Sequence, residues 1–166
     1  MPITTYKDSV FIRFRNGNKR KPHIWFVHGF GASSDSFREA FELKHLRRYT
    51  MFAPDFPGFG SSPALRSPHN ITRSAELLKK LIRKFSPQNP VILVAHSLGG
   101  LIATKLALSL GKKISGYVNV EGNFTSADCF FSGKAAKAGN PVKWKEDFWQ
   151  KLYKLGLKDK SLGRYC

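Results

Sequence analysis

The sequence predicts a protein of the α/β class, with a mainly parallel sheet of about six strands and helices on both of its faces. Three observations support this prediction. Strand-like apolar runs alternate with helical segments over residues 10–120. Residues 24–27 are continuously apolar, which suits a strand buried on both faces of a parallel sheet. Residues 91–94 form a second such run and lead through a turn of small residues into a mostly apolar helix.

The first half of the chain predicts three strands and one helix. Residues 10–15 alternate apolar and polar side chains, as in a half-exposed strand, and residues 24–27 follow as a buried one. Residues 50–53 predict a third strand, which a proline stops. Between the second and third strands, Ser36 and Glu39 have the spacing of a capping box and therefore predict the start of a helix.

The second half of the core continues the alternation. Asn70 is placed to cap a helix at its start, and Gly111 is placed to terminate the next one. The predicted elements are, in order, a loop rich in glycine, proline and serine at 54–68, a helix over 71–85, a strand at 91–95, a helix over 98–110 and a strand at 114–120.

The character of the chain changes after the last of these strands. Residues 1–122 are predicted to form the α/β core, and residues 123–166 a helical, lid-like segment. In that segment Trp144, Phe148 and Leu152 are spaced by four, as on one face of a helix. A lid that packs over a pocket explains this pattern. A helix lying on an acidic surface is the alternative, because lysines flank the aromatic side chains.

Composition limits the classes of protein that need to be considered. The chain has 166 residues, of which 42% are hydrophobic, enough for a folded core. The net charge of +17 favours anionic partners, but it is spread along the chain without a nucleic-acid-binding motif, so no specific nucleic acid is expected. Neither a transmembrane segment nor a secretory signal is evident. With two cysteines, Cys129 and Cys166, a cytoplasmic location is expected.

The strongest motif follows the apolar run that ends at Val94. Ala95, Ser97 and Gly99 form a turn with small residues at both flanks and a serine at its apex, which is the pattern of a nucleophile elbow. The helix that begins at residue 98 points its positive end at the serine, so the backbone N–H of Leu98 is expected to donate to an oxyanion. The alternative is that the serine only caps this helix.

Two further motifs follow the other buried strands. His28, Gly29, Phe30 and Gly31 come directly after residues 24–27, and the glycines allow the backbone to approach a ligand closely. The N–H of Phe30 is the second expected oxyanion donor, whereas His28 is expected to order the loop. Asp55 opens the third motif, a compact turn rich in glycine and proline, and is expected to anchor loop backbone.

In this order and spacing, the three motifs resemble the α/β-hydrolase family, in its branch with a serine nucleophile. The resemblance runs from about residue 10 to residue 125, through the sixth strand and into the start of a lid. It implies that Ser97 is the nucleophile, that Phe30 and Leu98 supply the oxyanion hole, and that the substrate is an acyl compound such as an ester or a thioester. The family also takes an acid and a histidine from later in the chain.

The sequence departs from the family at this last point. All five of its histidines precede Ser97, so the chain is expected to stop before its catalytic histidine, with the last strands of the sheet absent. Glu121 lies where some family members supply the acid, and the alternative is that it accepts hydrogen bonds at a strand end. Two functions stay open: a serine hydrolase, or a catalytically inactive relative that binds a small molecule or a partner.

The resemblance implies no metal or cofactor, and it implies a small-molecule acyl substrate. Without further strands, the sixth strand would be an open edge with apolar residues. Such an edge pairs readily with another chain, so self-association is expected.

Overall fold

The computed structural model describes residues 3–7, 9–65, 70–122, 134 and 137–158. Its regular elements are, in chain order, β1 (Ile3–Lys7), β2 (Val10–Arg15), β3 (His23–Val27), β4 (Met51–Pro54), α1 (Ile71–Phe85), β5 (Val91–His96), α2 (Gly99–Leu110), β6 (Ile114–Val120) and α3 (Pro141–Lys158). Short 3-10 helices span Ser34–Phe41, Lys44–Leu46 and Gly111–Lys113.

The strands form one six-stranded sheet in the order β1-β2-β4-β3-β5-β6. Neighbours among β4, β3, β5 and β6 pair in parallel, whereas β2 pairs antiparallel with both β4 and β1. The predicted mainly parallel sheet is therefore confirmed. The carboxyl ends of the four parallel strands open at the same edge of the sheet, and this is where the residues of the three sequence motifs lie.

One face of the sheet carries α1 and α2. Trp25 and Val27 of β3 and Leu93 of β5 point to this face and are completely buried. They pack against apolar side chains of the two helices, among them Leu78 and Leu106. Burial of large apolar side chains stabilises a fold by about 2 kcal/mol each, so this face contributes most of the apolar stabilisation.

The opposite face is covered by the 3-10 helix Ser34–Phe41. Ile24 and Phe26 of β3 point to it and form a second buried cluster with Phe41. The ring centroids of Phe26 and Phe41 are 5.7 Å apart. The two clusters account for the continuous apolar run of β3, because each of its faces has its own helical cover.

The structure corrects the predicted start of the first helix. Its N-cap is Ser33, whose hydroxyl accepts the N–H of Asp35, and the Asp55 carboxylate accepts the N–H of Ser34. The first amides of the turn are thus satisfied before Ser36, and no capping box at Ser36 is needed. The segment is a 3-10 helix that ends at Phe41. The structure also contains a strand that the sequence did not predict, β1, which pairs with β2.

Two predicted helix ends are confirmed. The Asn70 side chain accepts the N–H of Arg73 at 2.9 Å and so caps α1. Gly111 follows α2 with φ +50°, a conformation that favours glycine.

The chain divides into two compact units, Met1–Thr125 and Ser126–Cys166. The second unit contains α3, where Asn140 accepts the N–H of Lys143 and the rings of Trp144 and Phe148 stack at 5.1 Å. The Leu152 side chain and most of the predicted lid before residue 137, including Cys129, lie outside the described residues, as does Cys166. None of the described helices combines the length and apolarity that a membrane span requires.

Candidate active site

The turn between β5 and α2 is strained at its apex. Ser97 has φ +52°, a left-handed conformation that residues other than glycine rarely adopt. Its N–H donates to the carbonyl of Val120 at 3.1 Å, and its own carbonyl accepts the N–H of Gly100 at 2.8 Å. These bonds hold the apex in place, and strain of this kind is concentrated at functional sites in proteins.

Gly99 stands where the backbones of two loops nearly touch. A Cβ atom at this position would lie 2.3 Å from the carbonyl oxygen of Val27 and 2.8 Å from that of His28. Neither oxygen belongs to a flexible side chain, so any larger residue would push β3 away from α2. Ala95, on the other flank of the turn, is completely buried beneath α2.

The turn after β3 lies directly against the elbow. A Cβ atom on Gly29 would lie 2.9 Å from the Cβ of Ser97 and 3.2 Å from Nδ1 of His96. Since Phe30 follows Gly29 and Leu98 follows Ser97, the backbone amides of both residues belong to these two touching loops. The Phe30 side chain is 41% exposed, and its ring meets the ring of Phe59 edge to face. Gly31 completes the turn with φ +73°.

His28 binds the backbone of two loops. Its Nε2 accepts the N–H of Phe56 at 3.0 Å, so the proton is on Nδ1, which donates to the carbonyl of Gly29 at 2.9 Å. The residue is only 2% exposed. Burial lowers the pKa of His28. The ring is therefore neutral at pH 7, and both of its nitrogens are occupied by backbone groups.

Asp55 connects three segments of the site. Its carboxylate accepts the N–H of Ser34 at 2.6 Å and that of Ser61 at 2.8 Å. Its backbone carbonyl accepts the hydroxyl of Ser62 at 2.7 Å. The side chain is 2% exposed, and a Cβ on Gly60 would lie 2.1 Å from its Oδ2. The carboxylate thus fixes loop backbone and is not directed at solvent.

Glu121 follows β6 with φ +49° and is exposed. Its carboxylate makes no hydrogen bond or ion pair within the described part of the chain, so the alternative that it accepts backbone bonds at the strand end has no support there. That end is instead closed by Asn119, whose amide donates to the carbonyl of Gly122 at 3.3 Å. The sequence did not single out Asn119.

His96 is a second residue that sequence reasoning missed. It ends β5, directly before Ser97, and its Nδ1 is buried with no hydrogen-bond partner among the described residues. Its position next to the elbow could have drawn attention to it, but nothing in the sequence indicates which way the ring points.

The described residues include no group of three histidine, cysteine, aspartate or glutamate side chains that could hold a metal ion. At the elbow, the structure brings together a strained serine, backbone amides on two adjoining loops, and the amino end of α2. Such an arrangement can bind the carbonyl oxygen of an acyl group while a hydroxyl attacks its carbon.

Comparison with known proteins identifies the family. The profile of the family described as "alpha/beta hydrolase fold" matches residues 22–161, most of the chain. The protein therefore belongs to the α/β-hydrolase fold family, as the three motifs indicated.

Individual relatives agree with this assignment. A Mycoplasma pneumoniae protein whose name suggests an esterase or lipase is 30% identical over 109 residues, covering 62% of this chain and 38% of its own. The structure of an alpha/beta superfamily hydrolase from Oenococcus oeni superposes with a TM-score of 0.67 at 25% identity, covering 74% of this chain and 45% of that one. A thioesterase domain from the curacin biosynthetic pathway gives 0.63 at 22% identity, covering 80% and 51%. The chain spans only about half of these proteins or less.

Proposed function

We propose that this chain provides the nucleophile and the oxyanion hole of a serine hydrolase that acts on an ester or thioester. The observation that carries the proposal is the left-handed Ser97 at the carboxyl end of β5, held against the Gly29 turn. The esterase or lipase name of the Mycoplasma relative and the thioesterase name of a structural neighbour support the choice of substrate class.

In this proposal the reaction takes two steps. The Ser97 hydroxyl attacks the acyl carbon, its proton goes to a general base, and the N–H groups of Phe30 and Leu98 donate to the oxyanion. The alcohol or thiol then leaves with that proton, and water releases the acid from the acyl-enzyme. His28, Gly29, Gly31, Asp55 and Gly99 shape the loops. Glu121, at the end of β6, is the candidate acid.

The general base comes from outside the described residues in this proposal. None of the five histidines follows Ser97 in the sequence. Among those described, His28 uses both ring nitrogens on loop backbone, and His23 begins β3 at the opposite end of the parallel strands. His45 is exposed in the 3-10 helix Lys44–Leu46, and the buried Nδ1 of His96 makes no hydrogen bond to Ser97. We propose that a chain segment or a second molecule that is not part of these residues supplies the histidine.

The proposal is tested by labelling the purified chain with a fluorophosphonate probe. We expect the wild-type chain and Ser109→Ala, an exposed serine on α2, to be labelled, and Ser97→Ala not to be. Circular dichroism establishes that each variant is folded. Labelling is expected to be slow, because only the oxyanion hole and probe binding assist the reaction while the base is absent. A Ser97→Ala chain that labels as fast as the wild type would refute the nucleophile.

One observation favours the second candidate function, an inactive relative that binds a small molecule or partner. The Ser97 hydroxyl makes no hydrogen bond to a described side chain, so nothing in that part of the chain activates it. Under this reading, substrate-like esters bind without being cleaved. Ligand binding without labelling in the same preparation would favour it.

We also propose that the chain associates with itself through β6. In the described sheet this strand pairs only with β5, and its Val118 and Val120 side chains are 50% and 43% exposed. Open, apolar edge strands invite pairing with other chains. Light scattering is expected to detect a dimer that Val118→Lys dissociates, and a wild-type monomer would contradict this.

The low cysteine count supports a reducing, cytoplasmic setting.

A further inference from the structure

A cavity of about 600 Å³ lies at the amino ends of the parallel strands. His23 is the first residue of β3, and Thr50 and Asn89 come just before β4 and β5. Strands rise by about 3.3 Å per residue, so a five-residue strand separates this cavity from the Ser97 turn by roughly 15 Å. The site proposed for hydrolysis therefore does not account for it.

The wall of the cavity is aromatic. Phe14, Phe52 and Phe85 line it, and the ring of Phe52 lies 6.2 Å from that of Phe14 and 5.6 Å from that of Phe85. Phe14 and Phe85 are only half-buried, so part of their ring surface is free to meet a ligand. A flat apolar ring is the group that such a wall accommodates best.

Hydrogen bonds between three loops hold the rim in one arrangement. The side-chain amide of Asn89 donates to the carbonyls of Lys19 and Lys21, at 2.7 and 3.1 Å. The N–H of Gly17 donates to the hydroxyl of Thr50 at 3.0 Å. The cavity is therefore formed before any ligand arrives, which lowers the entropic cost of binding.

His23 contributes a buried polar group to this wall. It is 7% exposed, and its Nδ1 lies 2.7 Å from the Ser86 hydroxyl, which also accepts the indole N–H of Trp25 at 3.0 Å. Ser86 is completely buried, so its own proton is satisfied only if it is donated to Nδ1 of His23. The proton of the neutral ring then resides on Nε2, which has no partner among the described residues.

Two further observations define the charge of the ligand. Burial, and secondarily Lys113, lower the pKa of His23, so the ring stays neutral and donates one N–H. Lys19, an exposed residue that lines the cavity, carries a positive charge, and no described residue that lines the cavity is acidic. The lining thus includes a positive charge and, among the described residues, no negative one, which favours an anionic ligand.

We propose that this cavity binds a small aromatic acid, with its ring against Phe14, Phe52 and Phe85 and its carboxylate toward His23 and Lys19. The proposal does not depend on hydrolysis at Ser97, because the two sites lie at opposite ends of the parallel strands.

The test uses 2-naphthoate, with 2-naphthamide as its neutral counterpart, titrated into the 166-residue chain by calorimetry. We expect the naphthoate to bind about fivefold more tightly than the amide, because the pair with an exposed lysine is worth up to about 1 kcal/mol. Lys19→Met is expected to remove this preference. Lys80→Met, at an exposed position on α1, is expected to keep it.

Amide shifts in an NMR titration identify the site that is occupied. We expect perturbation at Gly17, His23 and Asn89, both in the wild type and in Ser97→Ala. The proposal is overturned if naphthoate does not bind the folded chain, if Lys19→Met leaves the preference for the acid unchanged, or if the perturbed amides are those of Phe30 and Leu98.

Discussion

The two ends of the parallel strands are built in opposite ways. At the carboxyl ends, backbone lies against backbone, with Gly99 facing the carbonyl of Val27 and the Gly29 turn pressed on Ser97. At the amino ends, the loops are tied together around a cavity of about 600 Å³. The same sheet thus has one end at which the loops are in close contact and another that leaves room for a ligand. The difference teaches that close packing here is local, because at the carboxyl ends it depends on two positions without a side chain, Gly29 and Gly99.

The largest effect is expected at the point of closest approach. Gly99→Ala places a Cβ within 2.3 Å of the Val27 carbonyl, so β3 and α2 must separate. We expect the free energy of unfolding to fall by about 3 kcal/mol, as for other overpacked positions. Urea denaturation measures this.

Gly116→Ala is the matched control for that substitution. A Cβ at Gly116 would make ordinary contact with the Ile92 side chain at 3.4 Å, so little change is expected. Equal stability of the two variants would show that the strands and α2 are not closely packed at the elbow.

A smaller loss is expected when the buried carboxylate of the carboxyl-end loops is changed. Asp55→Asn puts an amide N–H against the N–H of either Ser34 or Ser61, and one of these donors loses its acceptor. The expected cost is about 1–3 kcal/mol. Asp35→Asn, at an exposed carboxylate that pairs with Arg13, is expected to cost under about 1 kcal/mol. Thermal unfolding of both variants distinguishes the roles, and a larger loss for Asp35→Asn would contradict the account.

The same end of the sheet should make stability depend on pH. Burial lowers the pKa of His28 in the folded chain, while the unfolded chain titrates near 6.5. The unfolded state therefore binds the proton more readily, so this stabilisation is present above about pH 6.5 and is lost as the pH falls toward the folded pKa. His28→Gln should reduce the loss measured between pH 7.5 and 5.5, and His45→Gln, at an exposed site, should not. An unchanged pH slope in His28→Gln would be inconsistent with a buried neutral ring.

The smallest effect concerns the strain at the nucleophile. Ser97→Gly relieves the left-handed backbone at φ +52° and is expected to stabilise the fold by about 0.5 kcal/mol. Ser115→Gly, within β6, is expected to destabilise it by about the same amount because glycine is unfavourable in a strand. The difference in melting temperature between the two variants is the measurement. A Ser97→Gly variant less stable than wild type would mean that the elbow is not strained.

Local rules made much of the core predictable. Asn70 and Gly111 mark helix ends because capping depends on adjacent backbone alone, and the sharp turn after β5 follows from its small residues. The predicted helix start at Ser36 was wrong, because Ser33 and the distant Asp55 already accept the first amides of the turn. No local sequence pattern indicates the contact with Asp55.

The sequence could not predict in which direction the side chains of the site point. The hydrogen bond that His28 accepts from the Phe56 amide depends on which loops meet, and so does the lack of a partner for Nδ1 of His96 among the described residues. The amino-end cavity was missed for the same reason, because Phe14, Phe52 and Phe85 are distant in sequence and come together only across β2, β4 and α1.

The central claim is that Ser97 can take an acyl group at the carboxyl end of the sheet. The most direct test is to incubate the folded chain with p-nitrophenyl butyrate and to map any adduct by mass spectrometry of its peptides. The account predicts one butyryl group, on the peptide that contains Ser97, and none in Ser97→Ala. A folded chain without an adduct, or with the adduct on another residue and unchanged in Ser97→Ala, would contradict it.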